Sequence, residues 1–88
     1  MEEKNNEGKI ISVTEELHNG RSMICVKLKD GRTIKNNWDG SDLGHDKEYY
    51  IRLEKAKGLI KAKKVEWTTW GNFDPNRWFD DIWEVKPD

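Results

Sequence analysis

Residues 23–34 read Met23-Ile24-Cys25-Val26-Lys27-Leu28-Lys29-Asp30-Gly31-Arg32-Thr33-Ile34. Aliphatic residues recur here at every second position, the period of a strand with one buried face. A two-residue turn at Asp30-Gly31 would set Lys27 opposite Ile34. A three-residue loop over 29–31, with Gly31 in the left-handed region, instead sets Val26 opposite Ile34. Because only the second register brings apolar faces together, we predict a bulged hairpin.

The same period predicts further strands on both sides of this hairpin. The five predicted strands cover residues 9–17, 23–29, 32–38, 47–54 and 60–67, separated by turn-forming stretches at 18–20, 29–31, 37–46 and 55–58. The inward apolar residues before Lys63 and Lys64 are at even positions and those after them at odd positions, so a regular strand could not turn both sets inward. We therefore predict a bulge at these two lysines. Besides the hairpin residues, the predicted inward positions are Ile11, Val13, Leu17, Tyr49, Ile51, Leu53, Ile60, Ala62, Val65 and Trp67.

Length and composition limit the fold to one small domain. The chain has 88 residues, of which 34% are hydrophobic and 38% charged, so its core is narrow. Five strands in hairpin order, with one long loop and a bent last strand, predict a mainly β protein. We expect a five-stranded antiparallel OB-like barrel over residues 9–67, with an SH3-like barrel as the alternative. The polar residues 1–8 predict a flexible N-terminal arm.

The C-terminal segment, residues 68–88, is acidic and rich in aromatic residues. Asp74 suits a helix N-cap, Pro75 the first helical position, and Phe73 with Trp78 the spacing of a hydrophobic staple. These signals predict a short helix over about 75–83. Its apolar side is formed by Trp78, Phe79 and Ile82, with Trp83 beside it. We expect this side to dock on the barrel; the alternative is a hook that binds a protein partner.

Charge is unevenly distributed along the chain. The net charge is −1, but residues 20–64 hold twelve bases against six acids, whereas residues 65–88 hold two bases against six acids. Basic side chains interleaved with aromatic rings are what single-stranded nucleic acids bind. The candidate nucleic-acid-binding residues are Lys27, Arg32, Lys35, Trp38, Tyr50, Arg52, Lys61 and Lys63. We therefore expect a nucleic-acid-binding barrel for single-stranded DNA or RNA; the alternative is a protein-binding adaptor or small inhibitor acting through Trp78, Phe79, Ile82 and Trp83.

Other classes of protein lack support in the sequence. There is no phosphate-binding glycine loop and no nucleophile motif, so we expect no enzyme and no cofactor. Three aspartates and a histidine, Asp39, Asp42, His45 and Asp46, lie within eight residues but lack the spacing of a calcium loop, and the single Cys25 is too little for a zinc site, so we expect no metal. The chain lacks an apolar run of membrane-spanning length and an apolar signal at its start, which favours a cytoplasmic protein without a membrane partner.

Overall fold

The computed structural model of the protein describes residues 6–18, 20–36 and 47–86. Trp38 and the loop predicted over 37–46, including Asp42, His45 and Asp46, lie outside the described residues, as does the first part of the predicted arm. The mainly β prediction is confirmed. In the described ranges, however, the strands form two separate sheets and no closed barrel.

The described elements are seven strands, one α-helix and one 3-10 helix. In chain order they are β1 (Glu7–Gly8), β2 (Ile10–His18), β3 (Arg21–Leu28), β4 (Thr33–Asn36), α1 (Lys47–Gly58), the 3-10 helix (Leu59–Lys61), β5 (Val65–Thr68), β6 (Trp78–Phe79) and β7 (Asp81–Glu84). The four-stranded sheet has the order β2-β3-β4-β6, and the three-stranded sheet has the order β1-β5-β7. All pairs are antiparallel except the short parallel pair of β4 with β6.

The bulged register of the β3–β4 hairpin is confirmed. Val26 lies opposite Ile34, and both are fully buried. The Gly31 N–H donates to the carbonyl of Leu28 at 3.0 Å, and the Leu28 N–H donates to the carbonyl of Arg32 at 2.8 Å. Gly31 has a φ of 100°, in the left-handed region that the three-residue loop requires. The pairing of the apolar faces of β3 and β4 therefore determines the length of the turn between them.

Strand β2 contains an irregularity that changes which side chain enters the core. The register with β3 shifts between Ile10 and Ser12, leaving Ile11 as the extra residue of a bulge. Ile10 is fully buried, whereas Ile11 is 51% exposed and Leu17, near the far end of the strand, is 77% exposed. The inward positions predicted for Ile11 and Leu17 are therefore wrong, because the bulge shifts the parity and the end of the hairpin extends past the core.

The strand predicted over 47–54 is wrong: this segment is helix α1. Its buried residues Tyr49, Leu53 and Ala56 follow the spacing i, i+4, i+7 of one helix face, whereas Ile51 is exposed. The Tyr49 hydroxyl donates to Glu15 Oε1 at 2.8 Å and so ties α1 to β2. Burial, together with this carboxylate, raises the pKa of Tyr49. Good helix formers over 52–57 outweigh the β propensity of the preceding aromatic and branched residues.

The predicted fifth strand is confirmed only in its second half. Val65 and Trp67 are buried in β5, as expected, but the residues before Ala62 form the 3-10 helix. Lys9 Nζ donates to the carbonyls of Ile60 and Ala62, the latter at 2.8 Å. The change from even to odd inward positions around Lys63 and Lys64 therefore marks the boundary between the 3-10 helix and β5, and not a bulge within one strand.

The helix predicted over 75–83 is also wrong. Asp74 does cap a turn: its Oδ1 accepts from the Asn76 N–H at 2.9 Å, and its carbonyl accepts from the Arg77 and Trp78 N–H groups at 2.9 Å. The chain then becomes extended as β6 and β7. So short a helix is marginal on its own, and strand pairing with β4 and β5 satisfies the same backbone groups.

The core lies between the two sheets and α1. Its buried members come from every layer and are Ile10, Ile24, Val26, Leu28, Ile34, Tyr49, Leu53, Ala56, Ala62, Val65, Trp67, Phe79 and Ile82. Residues 7–8, predicted as part of a flexible arm, form β1 and pair with β5. The OB-like five-stranded barrel predicted over 9–67 is not confirmed: in the described residues 47–58 is helical, and β5 pairs with β1 and β7 in a sheet of its own.

Candidate nucleic-acid interface

The four-stranded sheet has one face in the core and one facing away from it. Side chains directly opposite each other in a sheet point to the same face, so Val13, Val26 and Ile34 form one row on the core face. We call the opposite side the outer face. It is formed by Ser12, Thr14, Glu16, Met23, Cys25, Lys27, Thr33, Lys35 and Trp78. All of these except Cys25 are exposed or half-buried.

One row of the outer face crosses all four strands. Thr14 lies opposite Cys25, Cys25 opposite Lys35, and Lys35 opposite Trp78. Adjacent strands are about 4.8 Å apart, so side chains that neighbour each other along the row lie within reach of one ligand. We call these four residues the Lys35–Trp78 row. The row places a lysine directly beside an indole, and both side chains are half-buried.

The position of Trp78 is fixed by the turn that precedes it. The Asp74 carbonyl accepts from the Trp78 N–H, and the Lys35 N–H donates to the carbonyl of Arg77 at 2.9 Å. On the core side of the same pairing, the Asn36 side-chain amide donates to the carbonyl of Phe79 at 3.3 Å. These backbone contacts hold β6 in register with β4 and so set Trp78 beside Lys35.

A second aromatic ring extends this end of the row. The rings of Phe73 and Trp78 have centroids 5.7 Å apart and planes tilted by 44°. Phe73 is 45% exposed, and the nearby Trp70 is 69% exposed. The Phe73 N–H donates to the carbonyl of Trp70 at 3.0 Å across a turn in which Gly71 has a φ of 54°. The segment between β5 and β6 therefore presents aromatic faces to solvent.

The charges of the outer face are mixed. Lys27 is exposed, and Lys35 Nζ lies 3.9 Å from Glu16 Oε1. Cys25, the buried free cysteine, lies between these groups, and burial followed by the proximity of Glu16 raises the pKa of its thiol. Cys25 is therefore a neutral, buried thiol at physiological pH.

Arg32, a predicted nucleic-acid-binding residue, is engaged within the fold. Its guanidinium donates to Asp30 Oδ2 at 2.8 Å, to Asn76 Oδ1 at 3.1 Å and to the carbonyl of Glu7 at 2.9 Å. It also lies over the ring of Trp67, 5.2 Å from the centroid. The hydrogen bonds from Arg32 hold the pKa of Asp30 below its usual range. Arg32 thus joins the β3–β4 turn, β1 and the segment before β6, and the structure gives it a stabilising role.

Four other predicted binding residues belong to the layer behind the sheet. Tyr50 and Arg52 lie on α1, which packs on the core side of β2, and the Arg52 guanidinium donates to the carbonyl of Asp80 at 3.0 Å. Lys61 and Lys63 are exposed between α1 and β5. These residues therefore do not share the outer face with Lys27 and Lys35, and Trp38 lies outside the described residues.

The four predicted partner-binding residues are divided between the core and the surface. Phe79 and Ile82 are each only 3% exposed, so they are not available to a partner in the folded protein. Trp78 is half-buried on the outer face. Trp83 is 37% exposed and lies opposite Glu66 on the three-stranded sheet. The C-terminal segment is therefore docked, as expected, but through strands and not through a helix.

Sequence reasoning missed Phe73 and Trp70 as surface aromatics and Glu16 as the neighbour of Lys35. The Gly71-Asn72 pair after Trp70 was the available signal, because such pairs mark turns that leave flanking side chains exposed. The partner of Lys35 depends on strand register and has no comparable local signal.

In the part of the chain that the structure describes, no group of three or more His, Cys, Asp and Glu side chains is arranged to hold a metal ion. The described helices include none with the length and apolar character needed to cross a membrane. No protein-family model matches the sequence, and neither the curated proteins nor the solved structures include a significant match to it.

Proposed function

We propose that this protein is a non-catalytic protein that binds single-stranded DNA or RNA on the outer face of its four-stranded sheet. The observation that carries the proposal is the Lys35–Trp78 row, in which register places a cation beside an aromatic ring on the outer face of the sheet. Sequence-independent binding of single strands uses this combination, because phosphates need positive charge and unstacked bases need aromatic faces.

The roles of the side chains follow from their chemistry. Lys27 and Lys35 contact backbone phosphates, and the Phe73–Trp78 pair offers a stacking face at the edge of the same sheet. Bases in a duplex already stack on each other, so a duplex gains only the phosphate contacts. Single strands therefore bind more tightly than duplexes of the same length. The phosphate contacts form although the net charge of the protein is −1.

Titration with fluorescently labelled oligothymidylate and oligouridylate at low salt tests the proposal. We expect saturable binding that weakens with salt, with a slope of about −1.4 in a plot of log K against log salt, from two phosphate contacts at about 0.7 each. The double variant Lys27→Gln/Lys35→Gln should lose most of the binding. Its matched control, Lys61→Gln/Lys63→Gln, removes the same charge from the layer behind the sheet and should bind like the wild type.

Failure of the folded protein to bind either oligonucleotide at low salt would overturn the proposal. The alternative, a protein-binding adaptor or small inhibitor, would then use Trp78 and Trp83, the two predicted partner-binding residues that are not buried in the core. Equal losses in the two double variants would contradict the assignment of the outer face.

A further inference from the structure

We propose that Glu16 is an internal competitor for phosphate on the outer face: its carboxylate occupies Lys35 in the free protein, and a nucleic-acid phosphate must displace it. This inference rests on the proposed function and adds to it an internal competitor for the phosphate. The competitor lowers the affinity of Lys35 for every phosphate ligand, whether or not the ligand carries bases.

The geometry places Glu16 next to the Lys35–Trp78 row. Glu16 lies opposite Met23, in the row of the outer face adjacent to Thr14 and Cys25. Its Oε1 is 3.9 Å from Lys35 Nζ, and the side chains of both residues are partly exposed. The pKa of the Cys25 thiol is raised by burial and then by Glu16, which agrees with a carboxylate directed over Cys25 toward Lys35.

The ion pair between Glu16 and Lys35 is weak enough for a phosphate to displace the carboxylate. A solvent-exposed pair at this separation is weak and is screened by salt, so a phosphate can replace the carboxylate at little cost. An anion without bases exchanges one weak pair for another and gains little at Lys35. A single strand makes the same exchange and gains base stacking at Trp78 and Phe73 as well. Glu16 therefore lowers the affinity for both kinds of ligand by the same factor, and only the single strand has base stacking to offset that loss.

The Glu16→Gln variant tests this inference, and the chain supplies a matched control. Glu54 on α1 also forms an exposed ion pair, with its Oε2 3.9 Å from Lys57 Nζ, but it lies behind the sheet. We expect Glu16→Gln to bind both oligothymidylate and inorganic polyphosphate about 1.5- to 5-fold more tightly at low salt, with the gain shrinking at high salt. Glu54→Gln should bind both ligands like the wild type.

A double-mutant cycle separates displacement from general repulsion. If Glu16 acts by occupying Lys35, Glu16→Gln should give no gain in a Lys35→Gln background. An equal gain in affinity from Glu16→Gln in both backgrounds would overturn the inference. So would a wild type that binds together with a Glu16→Gln variant that binds no more tightly than Glu54→Gln. The proposed function survives both results. If neither the wild type nor Glu16→Gln binds oligothymidylate, the proposed function fails and this inference fails with it.

Discussion

Replacement of Ile82 by alanine tests whether the C-terminal segment is part of the core. Ile82 lies on β7, 3% exposed, directly opposite Trp67 of β5. The substitution removes three carbon groups at about 0.8 kcal/mol each, which gives about 2.4 kcal/mol before any cavity is counted. With the cavity left beside Trp67, the expected loss is about 3–4 kcal/mol. The whole domain has only about 4–13 kcal/mol of stability for its length, so this loss is large.

Urea unfolding followed by far-ultraviolet circular dichroism measures the effect. We expect a strongly lowered midpoint with an unchanged slope for Ile82→Ala. Trp70→Ala, in the same C-terminal segment but 69% exposed, is the control and should change the free energy of unfolding by less than about 0.5 kcal/mol. Equal and small effects of the two substitutions would refute the docked arrangement and indicate a segment that leaves the surface.

Three further predictions concern the turn, an ion pair and Arg32. Gly31→Ala should destabilise the protein by about 1–2 kcal/mol, because Gly31 has a positive φ. The control Gly58→Ala, at a helical φ of −68°, should stabilise the protein slightly. Equal effects of the two substitutions in denaturant titrations would reject the bulged turn. Partial burial acts to raise the pKa of Asp81, but the hydrogen bond and charge of Lys55, the hydrogen bond from the Ile82 N–H and the charge of Arg52 together outweigh it, so the pKa is lowered. Since a lowered folded-state pKa stabilises at neutral pH, the advantage of the wild type over Asp81→Asn, under about 1 kcal/mol, should disappear as the pH falls below about 4, and an advantage independent of pH would contradict this. Arg32→Lys should cost about 1–3 kcal/mol in the same unfolding assay, because lysine cannot make the forked set of hydrogen bonds; a neutral substitution would show that these contacts contribute nothing.

The parts of the fold that the sequence predicts correctly depend on neighbouring residues. The β3–β4 register follows from the parity of Val26 and Ile34 on either side of a three-residue loop, and the structure has that register. The segment 47–54 shows the limit of such reasoning. Tyr49 and Leu53 fit both a strand period and a helix period, and the exposure of Ile51 with the burial of Ala56 distinguishes the two.

In the candidate site, too, the features set by neighbouring residues were predictable and those set by distant strand pairing were not. The outward parity of Lys27 and Lys35 was readable from strand alternation. The position of Trp78 beside Lys35 depends on a parallel pairing between strands more than forty residues apart in sequence, which no local pattern specifies. The capping signal at Asp74 was correctly identified, but tertiary pairing converted the residues after it from a helix into a strand.

The most direct test of the outer face as the binding surface is an amide and indole chemical-shift map of the protein during titration with oligothymidylate. The account predicts that the largest shifts occur at Lys27, Lys35, Phe73 and the indole of Trp78, while Trp83, on the three-stranded sheet, stays unchanged. Shifts concentrated at Trp83, or no shifts at a concentration where the oligonucleotide is in large excess, would contradict it.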